Sequence, residues 1–257
     1  MKIAVVGCGA VGSYYGAVLA RAGHDLHFLL RSDYERVRQH GVRIRSFKGD
    51  FEARPRAARF PEEIGGSDLV VVGLKTTAND QFGRLLPPLV DNHTAVLTLQ
   101  NGLGNEEQLA QLFPARQILA GLCFVCLNRV APGVIHHLDH GQIVVGEFQR
   151  WPEPRTHDLA AAFRAGGIPC SVTDNLAQAH WEKLVWNVPF NGLGVAGTAG
   201  FDAVVNGSVD GRKAAAGLSG GEPAACLTTD RLLADERWAG LVGELMLEVI
   251  AIARGLG

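Results

Sequence analysis

The hexapeptide Gly7-Cys8-Gly9-Ala10-Val11-Gly12 follows the apolar run Ile3–Val6 and precedes a helical pattern over 11–22. It matches G-x-G-x-x-G, in which the glycines serve a tight turn, backbone approach to a pyrophosphate, and close helix–strand packing. The helix that follows offers unpaired N–H groups and a positive dipole end to phosphates. Gly7, Cys8, Gly9, Ala10, Val11 and Gly12 are therefore expected to hold a dinucleotide.

The next apolar run ends Leu29-Leu30-Arg31-Ser32. A site that reads the ribose diol of NAD places Asp or Glu here. A guanidinium and a hydroxyl suit a 2′-phosphate instead, and a guanidinium cannot accept from a diol. The cofactor this implies is NADP, although Arg31 can also be read as a solvated loop cation. Two further runs end Leu74-Lys75-Thr76 and Gln100-Asn101-Gly102. Ligands of open α/β sheets bind outside the carboxyl ends of strands, so Lys75 and Asn101 are well placed by topology alone. Taken singly, each is also what an ordinary polar strand end looks like.

A separate constellation lies in Trp181-Glu-Lys-Leu-Val-Trp-Asn-Val-Pro-Phe-Asn191. Lys183, Asn187 and Asn191 fall at i, i+4 and i+8, one stripe of a helix, while Leu184, Val185 and Val188 turn elsewhere to pack. Polar stripes are commonly solvated faces. Helix stability does not ask for two asparagines, and Pro189 removes a hydrogen bond and implies a kink. Locally unfavourable choices gathered in one turn point toward function.

Together these segments resemble the ketopantoate reductase (2-dehydropantoate 2-reductase) family. The resemblance covers residues 1–195: the glycine motif with Arg31, the Leu-Lys-Thr strand end, Gln-Asn-Gly at 100–102, and Glu-Lys-Leu-x-x-Asn-x-x-x-Asn at 182–191. It implies an N-terminal Rossmann domain, a helical C-terminal domain and an active site in the cleft between them. Lys183 would be the catalytic acid, Asn101 would contact nicotinamide and substrate, and Asn187 and Asn191 would bind the substrate's polar groups. Lys75 would lie on the cofactor. Hydride transfer to a ketone builds negative charge on oxygen, so a proton-donating cation lowers the barrier. The expected reaction is NADPH-dependent reduction of a small-molecule 2-oxo acid, with 2-dehydropantoate foremost. The alternatives are another oxo acid, or cofactor binding without turnover. Members of the family continue past the equivalent of Gly257 with a serine and a Glu-x-Asp-x-x-Asn-Gly motif, so the helical domain is expected to be incomplete.

The elements that must position these residues follow from the alternation of short β-type runs with helical patterns. The expected architecture is α/β: a Rossmann-type doubly wound parallel sheet over 1–175, then an all-helical domain over 176–257. Core strands are expected at 3–6, 25–30, 69–74 and 95–99, helices at 78–86 and 106–112, and a short antiparallel pair at 42–45 and 51–53. A strand–turn–strand follows over 121–147, with turns at Pro132-Gly133 and His140-Gly141, then a helix over 157–165 and a last strand over 169–173. Beyond 176 the pattern is helical, with a final helix over 235–254 capped by Gly255. Glycine and alanine between 194 and 221 bury little and read as a flexible loop.

Net charge is −2 with both signs interspersed, which excludes a basic nucleic-acid or membrane footprint. Five scattered cysteines do not form a disulfide framework, and no apolar run approaches the ~18 residues of a membrane span. A cytoplasmic protein is expected, and the reading leaves room for a homodimer. No metal site is expected. Cys123-Phe-Val-Cys126 lies in a strand where i and i+3 point to opposite faces, and His136, His137 and His140 read as solvated turn residues. Trp181 and Trp186 read as packing.

Overall fold

The computed structural model describes residues 1–209 and 226–256. These form two units, Met1–Leu176 and Ala177–Gly257.

In the first unit, β1 (Lys2–Val6), β2 (Asp25–Leu29), β5 (Arg56–Ala58), β6 (Leu69–Val72), β7 (Ala95–Thr98) and β8 (Ile118–Ala131) pair in parallel in the order β5-β2-β1-β6-β7-β8. This is the doubly wound dinucleotide-binding order, whose direction reverses between β1 and β6. Alternate residues of the central strands feed opposite faces, as the pleat requires. Ile3, Val5, Leu69 and Val71 join one apolar cluster, and Ala4, Val6, Val70 and Val72 the other. α1 (Ala10–Arg21) and α5 (Pro154–Ala165) supply the first cluster through residues such as Tyr15, Leu19 and Phe163. α3 (Phe82–Leu85) and α4 (Asn105–Ala110) supply the second through Phe82 and Leu109.

The sheet is mixed rather than purely parallel. β9 (Val134–Glu147) runs antiparallel to β8 and pairs in parallel with both β3 (Val42–Ser46) and β10 (Cys170–Val172). β3 in turn pairs antiparallel with β4 (Phe51–Ala53). Glu147 at the end of β9 is buried, and it accepts from Arg155 Nε at 3.0 Å and Thr156 Oγ1 at 2.5 Å, which fastens α5 to the sheet.

Several expectations need correction. His140-Gly141 is not a turn: β9 continues through it with a register shift, and His140 (φ 61°) and Gly141 (φ 115°) absorb the bulge. His137 is not solvated but 1% exposed, against the rings of Tyr14 (4.5 Å) and Phe47 (5.0 Å). The segment expected as one helix over 78–86 is a 3-10 run, Thr76–Gln81, followed by the single turn of α3. β5 and α2 (Tyr34–His40) carry too little apolar pattern to be read: α2 buries only Val37.

The second unit is helical among its described residues: α6 (Leu176–Ala196), a 3-10 turn Gly197–Ala199, α7 (Phe201–Val205), α8 (Thr229–Ala234) and α9 (Glu236–Gly255). Phe190, Leu193, Leu232, Trp238 and Val242 form its core, with Phe201 edge-on to Trp238 at 4.9 Å. The glycine-rich start read as loop is therefore helical through Val205, and residues 210–225 of that stretch lie outside the described residues. Gly255 falls within α9, whose C-cap is Leu256. Among the described residues no helix is long and apolar enough to cross a membrane.

Candidate active site

What a side chain would meet at each glycine of the hexapeptide shows what that glycine does. A Cβ on Gly7, whose φ is 96°, would lie 2.3 Å from the Leu74 nitrogen, and one on Gly12 would lie 2.3 Å from the Gly7 carbonyl oxygen. Gly73 completes the packing, 3.0 Å from the Gly12 Cα by the same construction. A Cβ on Gly9 would meet nothing within 4 Å. Gly7 thus lets the loop pack on the Gly73–Leu74 backbone after β6, Gly12 lets α1 pack on the loop and β1, and Gly9 fronts open space. Gly9 is also the N-cap of α1, with no side-chain cap and no acid in the first turn. A pyrophosphate fits this arrangement: backbone N–H groups and the positive dipole end face a space without competing anions. Cys8 contributes no reactive thiol. Burial pushes its pKa up, and Sγ donates to the Val5 and Leu29 carbonyls at 3.4 and 3.5 Å.

Arg31, Lys75 and Asn101 follow the carboxyl ends of β2, β6 and β7, which flank β1 in the order β2-β1-β6-β7. The structure therefore brings the hexapeptide and these three residues to one sheet edge. Arg31 is exposed and takes no side-chain partner among the described residues.

Asn101 rests on a chain of hydrogen bonds that the sequence did not reveal. Thr98 Oγ1 donates to Gln100 Oε1 at 3.1 Å, and Gln100 Nε2 donates to Asn79 Oδ1 at 2.7 Å. Asn79 Nδ2 donates to Asn105 Oδ1 at 3.0 Å, and Asn105 Nδ2 to the Asn101 carbonyl at 3.3 Å. Thr98, Gln100 and Asn105 are buried, so each amide must be satisfied within the protein. The chain ties the segment after Lys75 to the loop carrying Asn101, whose Gly102 and Gly104 have φ of 93° and 88°. Four polar residues around two strand ends were the available signal, but only the fold pairs them.

Lys183, Asn187 and Asn191 stand on α6 in the second unit. Lys183 and Asn187 are half-buried and Asn191 is exposed. The apolar side of the helix is narrower than expected, because Val188 is 40% exposed while Pro189 and Phe190 are buried. Trp186 stacks on Phe190 with ring centroids 4.3 Å apart.

Among the described residues, no three His, Cys, Asp or Glu side chains gather as metal ligands. Cys123 is buried, with Sγ donating to the Gly121 carbonyl at 3.7 Å, and Cys126 is exposed.

The family described as ketopantoate reductase PanE/ApbA matches residues 3–150. A 2-dehydropantoate 2-reductase from Nostoc sp. is 41% identical over 266 aligned residues, covering 100% of this chain and 73% of that protein. The crystal structure of 2-dehydropantoate 2-reductase from Geobacter metallireducens superposes with a TM-score of 0.84 at 46% identity, covering 98% of this chain and 75% of the other. A PanE/ApbA family ketopantoate reductase from Ralstonia eutropha gives 0.79 at 28% identity, covering 100% and 75%. The chain belongs to the ketopantoate reductase PanE/ApbA family.

Proposed function

We propose that this protein reduces 2-dehydropantoate to pantoate with NADPH. The observation that carries the reading is 41% identity to a 2-dehydropantoate 2-reductase, across all of this chain and 73% of that protein, in a chain whose glycine loop leaves open space at Gly9. The loop Gly7–Gly12 would hold the pyrophosphate, Arg31 the 2′-phosphate, and Lys75 a further part of the cofactor. When bound, the nicotinamide supplies the hydrogen and electron pair that the keto carbon takes up.

The remaining work falls to protein groups. Asn101 orients the nicotinamide and the keto acid, and Asn187 and Asn191 hold the substrate's carboxylate and hydroxyl without competing as bases. Lys183 gives a proton to the carbonyl oxygen as charge develops there, which is general acid and electrostatic assistance from one group. The five cysteines are compatible with a reducing, cytoplasmic setting.

Purified protein should consume NADPH in the presence of 2-dehydropantoate, and faster than with a panel of other 2-oxo acids. Preference for another acid would move the substrate assignment. Tight NADPH binding with no turnover of any of them would leave a cofactor-binding protein.

A further inference from the structure

The loop after β2 contains an acid after all. Asp33 lies two residues beyond Arg31, near the position from which an acidic side chain reads the adenosine ribose of NAD. Its side chain is only 8% exposed, and its oxygens are fully engaged. Oδ1 accepts from Ser32 Oγ at 3.0 Å and from Arg129 Nη2. Oδ2 accepts from Arg129 Nε at 3.0 Å and from the Gly133 N–H at 3.1 Å.

We propose that Arg129 is a specificity-determining residue for the cofactor: it occupies Asp33 from the β8–β9 hairpin, so the loop presents Arg31 rather than an acid to the ribose. A carboxylate has about four lone-pair sites. Four donors reach Asp33, so none remains for a diol. The guanidinium approaches as a fork, one nitrogen to each oxygen, which fixes the carboxylate's orientation as well as its charge. Neutralised in this way, Asp33 does not repel a 2′-phosphate arriving at Arg31. The hairpin turn is itself held, since Gly133 (φ 67°) accepts from the Arg43 N–H at 2.8 Å. Ser32 Oγ donates its hydrogen bond to Asp33, which leaves Arg31 as the partner for the phosphate.

This inference rests on the NADPH reading above, and the full chain tests both. Dissociation constants for NADPH and NADH are measured by nicotinamide fluorescence. Wild type should prefer NADPH at least about tenfold. Arg129→Gln should reduce that preference at least about fivefold, and Asp33→Asn added to it should restore the ratio to within about twofold of wild type. An Arg129→Gln protein that folds and keeps the wild-type ratio overturns the proposal. Should that variant fail to fold, Asp33→Asn alone decides: its NADPH preference should be undiminished, and a fall would overturn the proposal. A wild-type chain without preference fails differently, because it sinks the NADPH reading itself.

Discussion

Replacing Lys183 by alanine separates chemistry from binding. Turnover of 2-dehydropantoate should fall by about a hundredfold or more, the usual worth of a positioned acid. NADPH affinity should stay within about threefold, because the phosphates are held by the loop before α1. Wild-type turnover in that variant would return the 183, 187 and 191 stripe to an ordinary helix face. Arg31→Ala should erase most of a roughly tenfold preference for NADPH, read by titration with both cofactors. His137 has a pH signature. Burial lowers its pKa, so the folded state favours the neutral ring. Its contribution is intact above the ordinary imidazole value of about 6.5 and is lost as pH falls below it, where the unfolded chain takes up the proton first. Thermal melts of His137→Gln and wild type should therefore converge as pH drops from about 7.5 to 5.5. A constant difference would show that the ring's charge does not matter. The place of Arg31 just after the carboxyl end of β2 could be read from the sequence. Asp33 and His137 could not, because Arg129 is 96 positions from Asp33, and Tyr14 and Phe47 reach His137 only through the fold.

The strand–loop–helix element at the N-terminus separates folding from binding within one motif. Gly12→Ala forces a methyl against the Gly7 carbonyl and should cost about 1–3 kcal/mol of stability, as overpacking does. Gly9→Ala meets no protein atom, so its melting temperature should stay near wild type while NADPH affinity drops at least about tenfold. Equal effects of the two changes on stability would refute the distinction. The loop after β7 offers a parallel case. Asn105→Ala removes the donor beneath Asn101 and leaves Asn79 short of an acceptor. It should raise KM for the keto acid more than it lowers kcat, provided Asn101 binds ground and transition states alike. β1, β6 and β7 were legible because each is a short apolar run bounded by glycine or polar residues. β5 was not, because Arg-Ala-Ala is a strand only through pairing with β2. The helical turns from Gly194 to Val205 were missed because their order comes from packing. A Cβ on Gly197 would meet the Leu227 side chain at 2.4 Å and Trp238 at 3.2 Å, and no local propensity records that.

At the scale of the whole molecule, each apolar cluster lies within one unit: two span residues 3–170, and the third spans 190–242. A fragment ending at Leu176 should therefore fold cooperatively and bind NADPH within about tenfold of the full chain, without turnover. Failure of that fragment to fold would show that α6 and its neighbours are needed to complete the sheet unit. The way β9 joins the sheet also bears on how the chain is made. β8 touches β7 only through Ile118–Ala120, and Gly121–Ala131 pairs with β9 alone. β3 gains its link to the sheet from the same strand, about ninety residues after it is synthesised. A nascent chain that has emerged from the ribosome only as far as Val130 would thus carry a two-stranded β3–β4 ribbon, marginal by itself, and a long bare edge on β8. Vectorial synthesis can add the other strands in chain order, but β3 and β4 must wait for β9. Its far side is joined late, when β9 emerges through Glu147 and links β3 to β8, with β10 added after it, and nascent chains shorter than that are where protease sensitivity and recruitment of chaperones should concentrate.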